Sequence, residues 1–301
     1  MPQPAALEPL PSALHGERLQ LLAPAKINLA LNVLGRREDG YHELESLFLP
    51  LRWADGVTLG VQPSSQVEVS CHCPGRPELD GTDNLAARAA QRWLEAHQRV
   101  ARVEIIVDKQ IWVAAGLGGG SSDAGAVLRG LERLWPTSDG DLPALALSLG
   151  ADVPFFLHGR PALARGVGEK LTPLEGQPRE LPLVLINPNL PLSTPAVFSA
   201  LGLVPGARQE REPLPTSLPH NLKEIAALVR NDLEAPAIGL CAEIEQMKAA
   251  LMDAGALVAG LSGSGPTVFG LFETPAEADQ AASTISTIHG FSTVSTLARV
   301  A

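Results

Sequence analysis

The alternation of apolar and polar positions sorts the chain into strand and helix material before any chemistry is considered. "LQLLAPAKINLALNVLG" (19–35) is dense in apolar residues and reads as strand, with a break expected at Pro24, whose missing N–H interrupts a ladder. "GVTLGV", "QVEVS" and "RVEIIVD" (102–108) alternate with period two and predict short strands. "NLAARAAQRWLEAHQ" (84–98) has helical spacing. From Ala124 onward, Val127, Leu128, Leu131, Leu134 and Trp135 share one face of a second helix. "LPALALSLG" predicts a short helix, with a turn following at "GADVP", and "LPLVLINP" (181–188) a buried strand. Residues 203–220, rich in proline and charge, predict a surface loop. "AEIEQMKAALMDAG" (242–255) predicts a helix ending at a glycine, and "TVFGLF", "PAEADQAASTIS" and "FSTVSTLARV" predict strand, helix and strand. There is no internal repeat. Helices and strands mix without a regular βαβ beat, which predicts an α+β fold in two parts with a seam near 170–182.

Composition narrows the function classes. The chain has 301 residues, 45% of them hydrophobic, enough for two domains with buried cores. Its net charge of −10 removes the global basic footprint of a nucleic-acid binder, so an anionic ligand needs local compensation from lysines or helix N-termini. The three cysteines, Cys71, Cys73 and Cys241, contain no CxxC pair, and their odd number fits a reducing, cytoplasmic setting. "CHC" at 71–73 is a weak metal motif, because adjacent strand positions face opposite ways. Residues 1–18 lack the basic start and apolar run of a signal peptide and are expected to be a loose tail. No stretch is long enough to span a membrane.

The chemistry concentrates in "AAGLGGGSSDAGAVL" (114–128), placed between a strand ending near Asp108 and the second helix. Glycines allow close backbone approach and positive φ, and Ser121 is the expected N-cap. Helix N–H groups at the positive end of the dipole then make an anion site, phosphate above all. A P-loop is excluded because no lysine precedes the serines, and Ser121 stands where a dinucleotide fingerprint needs its third glycine. Taken alone, the loop is also compatible with a glycine-rich turn that only packs.

Further motifs occur in order: "PAKINL", "DGYHEL", "AGLGGGSSDA", "GADVPFF", "GVGE" and "SGSG". Over residues 22–275 the chain resembles the GHMP kinases, the family of galacto-, homoserine, mevalonate and phosphomevalonate kinases. "DGYH" and "GADVPFF" are similar to the member that acts on a cytidyl substrate. The resemblance implies a ribosomal-protein-like N-terminal ATP-binding domain (19–175) and a ferredoxin-like C-terminal domain (176–301). It also implies transfer of the γ-phosphoryl of ATP, with Mg²⁺, to the 2-hydroxyl of 4-diphosphocytidyl-2-C-methylerythritol, in the non-mevalonate route to isoprenoid precursors. By that resemblance Lys26 and Asp152 are catalytic and share one site. Trp112, Val113, Ala114, Ala115, Gly116, Leu117, Gly118, Gly119, Gly120, Ser121 and Ser122 hold ATP, and Ser122 is the one candidate Mg²⁺ contact. Asn28, Tyr41, His42, Thr194, Phe198, Gly263, Ser264 and Gly265 bind the substrate, the aromatic rings about the cytosine. A small-molecule enzyme with no nucleic-acid or membrane partner, monomeric or weakly dimeric, is expected.

Two positions depart from the family pattern. Trp112 replaces a common proline, and Gly125 replaces a usual alanine at a helix cost of roughly 0.5–1 kcal/mol. Three other functions compete. A homoserine or mevalonate kinase has no need of the aromatic clamp, a non-catalytic sensor none of Lys26 and Asp152, and an RNA-binding module is disfavoured by the acidic balance.

Overall fold

The structure, a computed structural model, describes residues 8–137, 142–176, 179–289 and 291–300. Its contacts divide it into two compact units, residues 1–24, 54–111 and 119–158 in the first and 25–53, 112–118 and 159–301 in the second. The expected seam at 170–182 therefore falls inside the second unit. The division is discontinuous because two long strands and the glycine loop pass from one unit to the other.

In the first unit, β1 (Glu8–Pro9) opens the described chain, and β2 (Arg18–Arg36) and β3 (His42–Gln62) are the long strands. β4 (Glu68–His72), α1 (Leu85–Ala96), β5 (Arg99–Val100) and β6 (Arg102–Asp108) follow, then α2 (Gly119–Leu134), α3 (Leu142–Leu149) and α4 (Val153–His158). β6 is flanked by β3, antiparallel in the register Gly56↔Asp108 to Gln62↔Arg102, and by β4, parallel from Glu68↔Arg102 to His72↔Ile106. Alternation in β6 buries Val103, Ile105 and Val107, which join Leu59, Trp93, Val127, Leu128 and Leu131 in one core. That explains the helical stripe read from Ala124. Asn84 caps α1, its side chain accepting the Ala86 N–H at 2.9 Å. Cys71 and Cys73 are buried and thiol-bearing, whereas His72 points out to Asp80 at 2.9 Å.

Several expectations need correction here. Residues 1–7 of the tail lie outside the described residues, but Glu8–Pro9 pairs with Arg99–Val100 and Leu10 is buried, so residues 8–10 are held. β2 does not break at Pro24. Two residues on, facing the same way, the Lys26 N–H bonds the Leu117 carbonyl at 2.9 Å rather than a strand, so Pro24 falls on a side where no ladder bond is needed. "GVTLGV" is the end of a 21-residue strand, not a strand of its own. α2 begins at Gly119, so Ser121 lies inside its first turn instead of capping it. The "GADVP" turn runs directly into α4.

The second unit contains the remaining segments of β2 and β3, then β7 (Ala162–Gly166), β8 (Lys170–Pro173), β9 (Arg179–Asn187), α5 (Thr194–Ala200), α6 (Leu222–Ala226), β10 (Arg230–Asn231), α7 (Glu234–Leu240), α8 (Glu243–Asp253), β11 (Val258–Leu261), β12 (Val268–Leu271), α9 (Pro275–His289) and β13 (Ser292–Val300). β7 pairs with β3 and β8, and β9 lies between β12 and β13, all antiparallel. Residues 181–187 of β9 are buried throughout, which is why they read as an unbroken apolar run. Val184, Ile186, Met247, Leu251, Phe272 and Ile285 form its core. Residues 203–220 are not a plain surface loop. Leu214 and Leu218 are buried, and the segment bonds the end of β2 through Arg36 N to Ala207 O (3.0 Å) and Gln209 N to Leu34 O (2.8 Å).

Candidate active site

Period-two alternation places Lys26 and Asn28 on one face of β2 and His42, Leu44, Ser46 and Phe48 on one face of β3. Lys26 is 3% exposed. Its Nζ donates to Asn28 Oδ1 at 2.6 Å and lies 4.8 Å from the Phe48 ring centroid. Asn28 Nδ2 donates to Ser46 Oγ (2.9 Å), and Ser46 Oγ donates to Ala30 O (2.6 Å). This relay fixes the Asn28 amide with its oxygen toward the ammonium, and an ammonium taken out of water requires such partners. Ser46 and Phe48 were missed in the sequence. Their signal was the alternation of "HELESLF", a polar residue on the inward face of an apolar strand.

The second unit also brings residues 112–118, the start of the first glycine stretch, against the second glycine-serine turn. Gly116 (φ +75) lies so close to residues 262–265 that a Cβ there would meet Ser262 O at 2.3 Å. Ser262 Oγ donates to Gly116 O at 3.0 Å. A Cβ on Gly263 would lie 3.3 Å from Asn28 Oδ1, which ties this second turn to the Lys26 relay. Asn231 Nδ2 holds the Leu261 and Gly263 carbonyls at 2.9 and 2.8 Å, Gly265 N–H bonds Ser262 O at 2.9 Å, and the Ser264 and Thr194 hydroxyls share a 2.7 Å bond. Gly116→Ala combines a left-handed φ with this overlap. It is expected to lower the thermal midpoint by several degrees, corresponding to about 1–3 kcal/mol of strain at one residue, as a melt would measure. Trp112, at the loop's entry, packs edge-to-face on Trp53 with centroids 4.8 Å apart.

Of the aromatic candidates, His42 and Phe198 meet, with ring centroids 4.8 Å apart and a 31° interplanar angle. Burial, followed by the nearby Arg36 charge, pushes the His42 pKa below its usual value, so the ring is neutral at pH 7. Its Nε2 is buried without a hydrogen-bond partner. Tyr41 is 65% exposed in the β2–β3 turn, where its carbonyl accepts from Arg37 N–H.

The first unit carries Gly119, Gly120, Ser121 and Ser122 in the first turn of α2, and Asp152 in the turn ahead of α4. The α2 N–H groups there lack helical acceptors, the condition for binding an anion. Ser122 is fully buried and its Oγ has no partner, so it does not stand beside Ser121 as a surface donor. Beneath this turn lies a group that sequence reading missed. Lys109 Nζ donates to Asp55 Oδ2 and, at 2.8 Å, to Asp123 Oδ2. Asp55 Oδ1 accepts the Gln110 and Ile111 N–H groups at 2.6 and 2.8 Å, which fixes the chain entering the glycine loop. Burial pushes the Asp123 carboxyl up to about 7; Lys109 opposes this and Asp55 adds to it. Burial acts to lower Lys109, but the two carboxylates outweigh it and its pKa is raised. The signal available was "DK" before the loop and an aspartate within "SSDA".

Among the described residues, no group of three or more His, Cys, Asp or Glu side chains is arranged to hold a metal ion, and no helix is long and apolar enough to cross a membrane.

Comparison with known proteins places the chain in a family. Residues 84–160 match the family described as GHMP kinases N terminal domain, and residues 211–289 match GHMP kinases C terminal. A 4-diphosphocytidyl-2-C-methyl-D-erythritol kinase from a Chelativorans species is 44% identical over 282 residues, 90% of this chain and 93% of that protein. One of the same name from Citrifermentans bemidjiense is 42% identical over 91% of this chain and 97% of its own length. A crystal structure of 4-(cytidine 5'-diphospho)-2C-methyl-D-erythritol kinase superposes with a TM-score of 0.75 at 41% identity, covering 93% of this chain and 99% of that one. Mevalonate kinase of L. major shares the fold alone, with a TM-score of 0.69, 16% identity and 98% of each chain covered. With both halves matched in chain order and relatives this similar over nine-tenths of its length, the chain belongs to the GHMP kinase family.

Proposed function

We propose that this protein transfers the γ-phosphoryl group of ATP to the 2-hydroxyl of 4-diphosphocytidyl-2-C-methyl-D-erythritol, giving the 2-phosphate and ADP in the methylerythritol phosphate route. The observation that carries the reading is the His42–Phe198 ring pair on a GHMP kinase scaffold, in a chain whose relatives bear that name. A neutral imidazole with an unpaired ring nitrogen suits hydrogen bonding to the edge of a base, and Phe198 and Tyr41 offer ring faces on which a base stacks.

The roles follow from the chemistry of phosphoryl transfer, which requires positioning and charge stabilisation above all. Asp152 accepts the proton of the attacking hydroxyl, or orients it, at its carboxylate oxygen. Lys26, held by its bond to Asn28 Oδ1, stabilises charge on the transferring group. Residues 112–118 and the first turn of α2 present backbone N–H groups to the ATP phosphates. Thr194, Gly263, Ser264 and Gly265 line the substrate side. Bound with the nucleotide, Mg²⁺ would supply neutralisation of the phosphate charge. Its habit of keeping water and phosphate ligands would leave few positions for protein oxygens; Ser122 Oγ and Asp123 Oδ1, both buried and without a hydrogen-bond partner at the start of α2, are the candidates.

A coupled ADP-release assay tests the reading. Offered 4-diphosphocytidyl-2-C-methylerythritol, the same sugar phosphate without its cytidyl group, homoserine and mevalonate, the enzyme is expected to turn over the first alone. Turnover of homoserine or mevalonate instead would remove the cytosine clamp. Binding of the cytidyl compound without turnover would make the protein a sensor.

A further inference from the structure

α2 carries the proposed phosphate-binding turn at its start and, ten residues on, Arg129. The Arg129 Nη1 donates to the carbonyl of Phe156 in α4, and its Nη2 to the carbonyl of Leu22 in β2 at 3.0 Å. Both acceptors are neutral backbone, so this guanidinium grips chain rather than balancing charge. The grip has a cost, since burial lowers the Arg129 pKa. Phe156 is among the last four residues of α4, whose carbonyls have no helical donor. It lies one helical turn beyond Asp152.

The contact is close on the α2 side as well. A Cβ on Gly125 would meet Phe156 Cβ at 2.7 Å and its carbonyl carbon at 3.2 Å, so α4 rests directly on α2 backbone. The absent alanine at 125 is therefore a requirement of this packing and not only a helix penalty. Phe155 and Phe156 are buried to within 1% and pack edge-to-face at 5.1 Å, so α4 moves with its rings.

We infer that Arg129 is a positioning residue for phosphoryl transfer. By holding the Phe156 carbonyl against α2, it sets where the turn before α4 places the Asp152 carboxylate relative to the first turn of α2. The inference rests on the reading of Asp152 and of that turn given above. A displacement of about 1 Å at a reacting group costs on the order of 10²-fold in rate.

The test uses the full chain with Mg-ATP and 4-diphosphocytidyl-2-C-methylerythritol, rates taken per folded molecule by circular dichroism. Arg129→Met is expected to lower kcat about 10–100-fold while the Kd for ATP, measured by calorimetry, stays within about twofold. Arg129→Lys, which keeps a donor for one carbonyl, recovers part of the loss. Gly125→Ala pushes α4 away with Arg129 intact and lowers kcat in the same way; with the lysine variant it carries the test if Arg129→Met does not fold. An Arg129→Met enzyme that merely melts earlier, with kcat per folded molecule unchanged, overturns the inference. Asp152→Asn in the same assay separates the two layers. If it keeps full activity, the reading of Asp152 fails and the inference with it; if it is inactive while Arg129→Met is not, only the inference fails.

Discussion

Asp152→Asn is expected to lower kcat by about 10²–10⁴-fold with the Kd for ATP nearly unchanged, because on the proposed reading it removes the proton acceptor while keeping the size of the side chain. Asparagine keeps the shape of the side chain, so the turn ahead of α4 and the buried Val153, Phe155 and Phe156 behind it are undisturbed. An amide oxygen still orients a hydroxyl but takes no proton from it. If the carboxylate only orients, the loss falls at the low end of the range; if it takes the proton, at the high end. Single-turnover kinetics at saturating ATP read this directly, and a variant within about twofold of the parent would take Asp152 out of the chemistry.

Lys109→Met is expected to cost about 3–5 kcal/mol of stability, the usual penalty for leaving buried charge unpaired. Asp55 and Asp123 have 0% and 3% side-chain exposure, and Lys109 is the cation between them. The loss has a defined pH dependence. The Asp123 pKa already stands at about 7 when folded, against about 4 unfolded, so between those values the folded state binds the extra proton and stability falls as pH rises. Removing Lys109, which opposes that rise, extends the window upward. Urea titrations of the variant at pH 5.5 and 8 are expected to show the larger deficit at pH 8; an equal deficit would mean that Lys109 does not hold the Asp123 carboxyl down.

What was legible in the sequence was whatever depends on local period. Lys26 and Asn28 were read onto one face because strands alternate, and the bond between them is local. Val127, Leu128 and Leu131 were read as a stripe because a helix repeats. What escaped depended on partners far along the chain. Pro24 breaks no ladder because its neighbour Lys26 bonds a loop carbonyl, not a strand. Residues 203–220 look like loop by composition, yet Leu214 is buried and its N–H bonds Glu45, 169 residues away. Lys109, Asp55 and Asp123 are unremarkable one at a time and form a group only after β3, β6 and α2 are assembled. The roles of the site residues rested on motif order; the structure adds the Asn28–Ser46 relay and the His42–Phe198 contact to them.

The bond from Ser262 to the Gly116 carbonyl spans 146 residues, and it bears on how the protein is made. At roughly 5–20 residues per second, a ribosome needs about 7–30 s to travel that distance. Throughout that interval the emerging chain already holds residues 112–118 but lacks the hairpin loop that anchors Gly116. The glycine loop is thus completed late in translation, and a chain stopped before β11 carries every glycine of residues 114–128 without the bond that anchors Gly116.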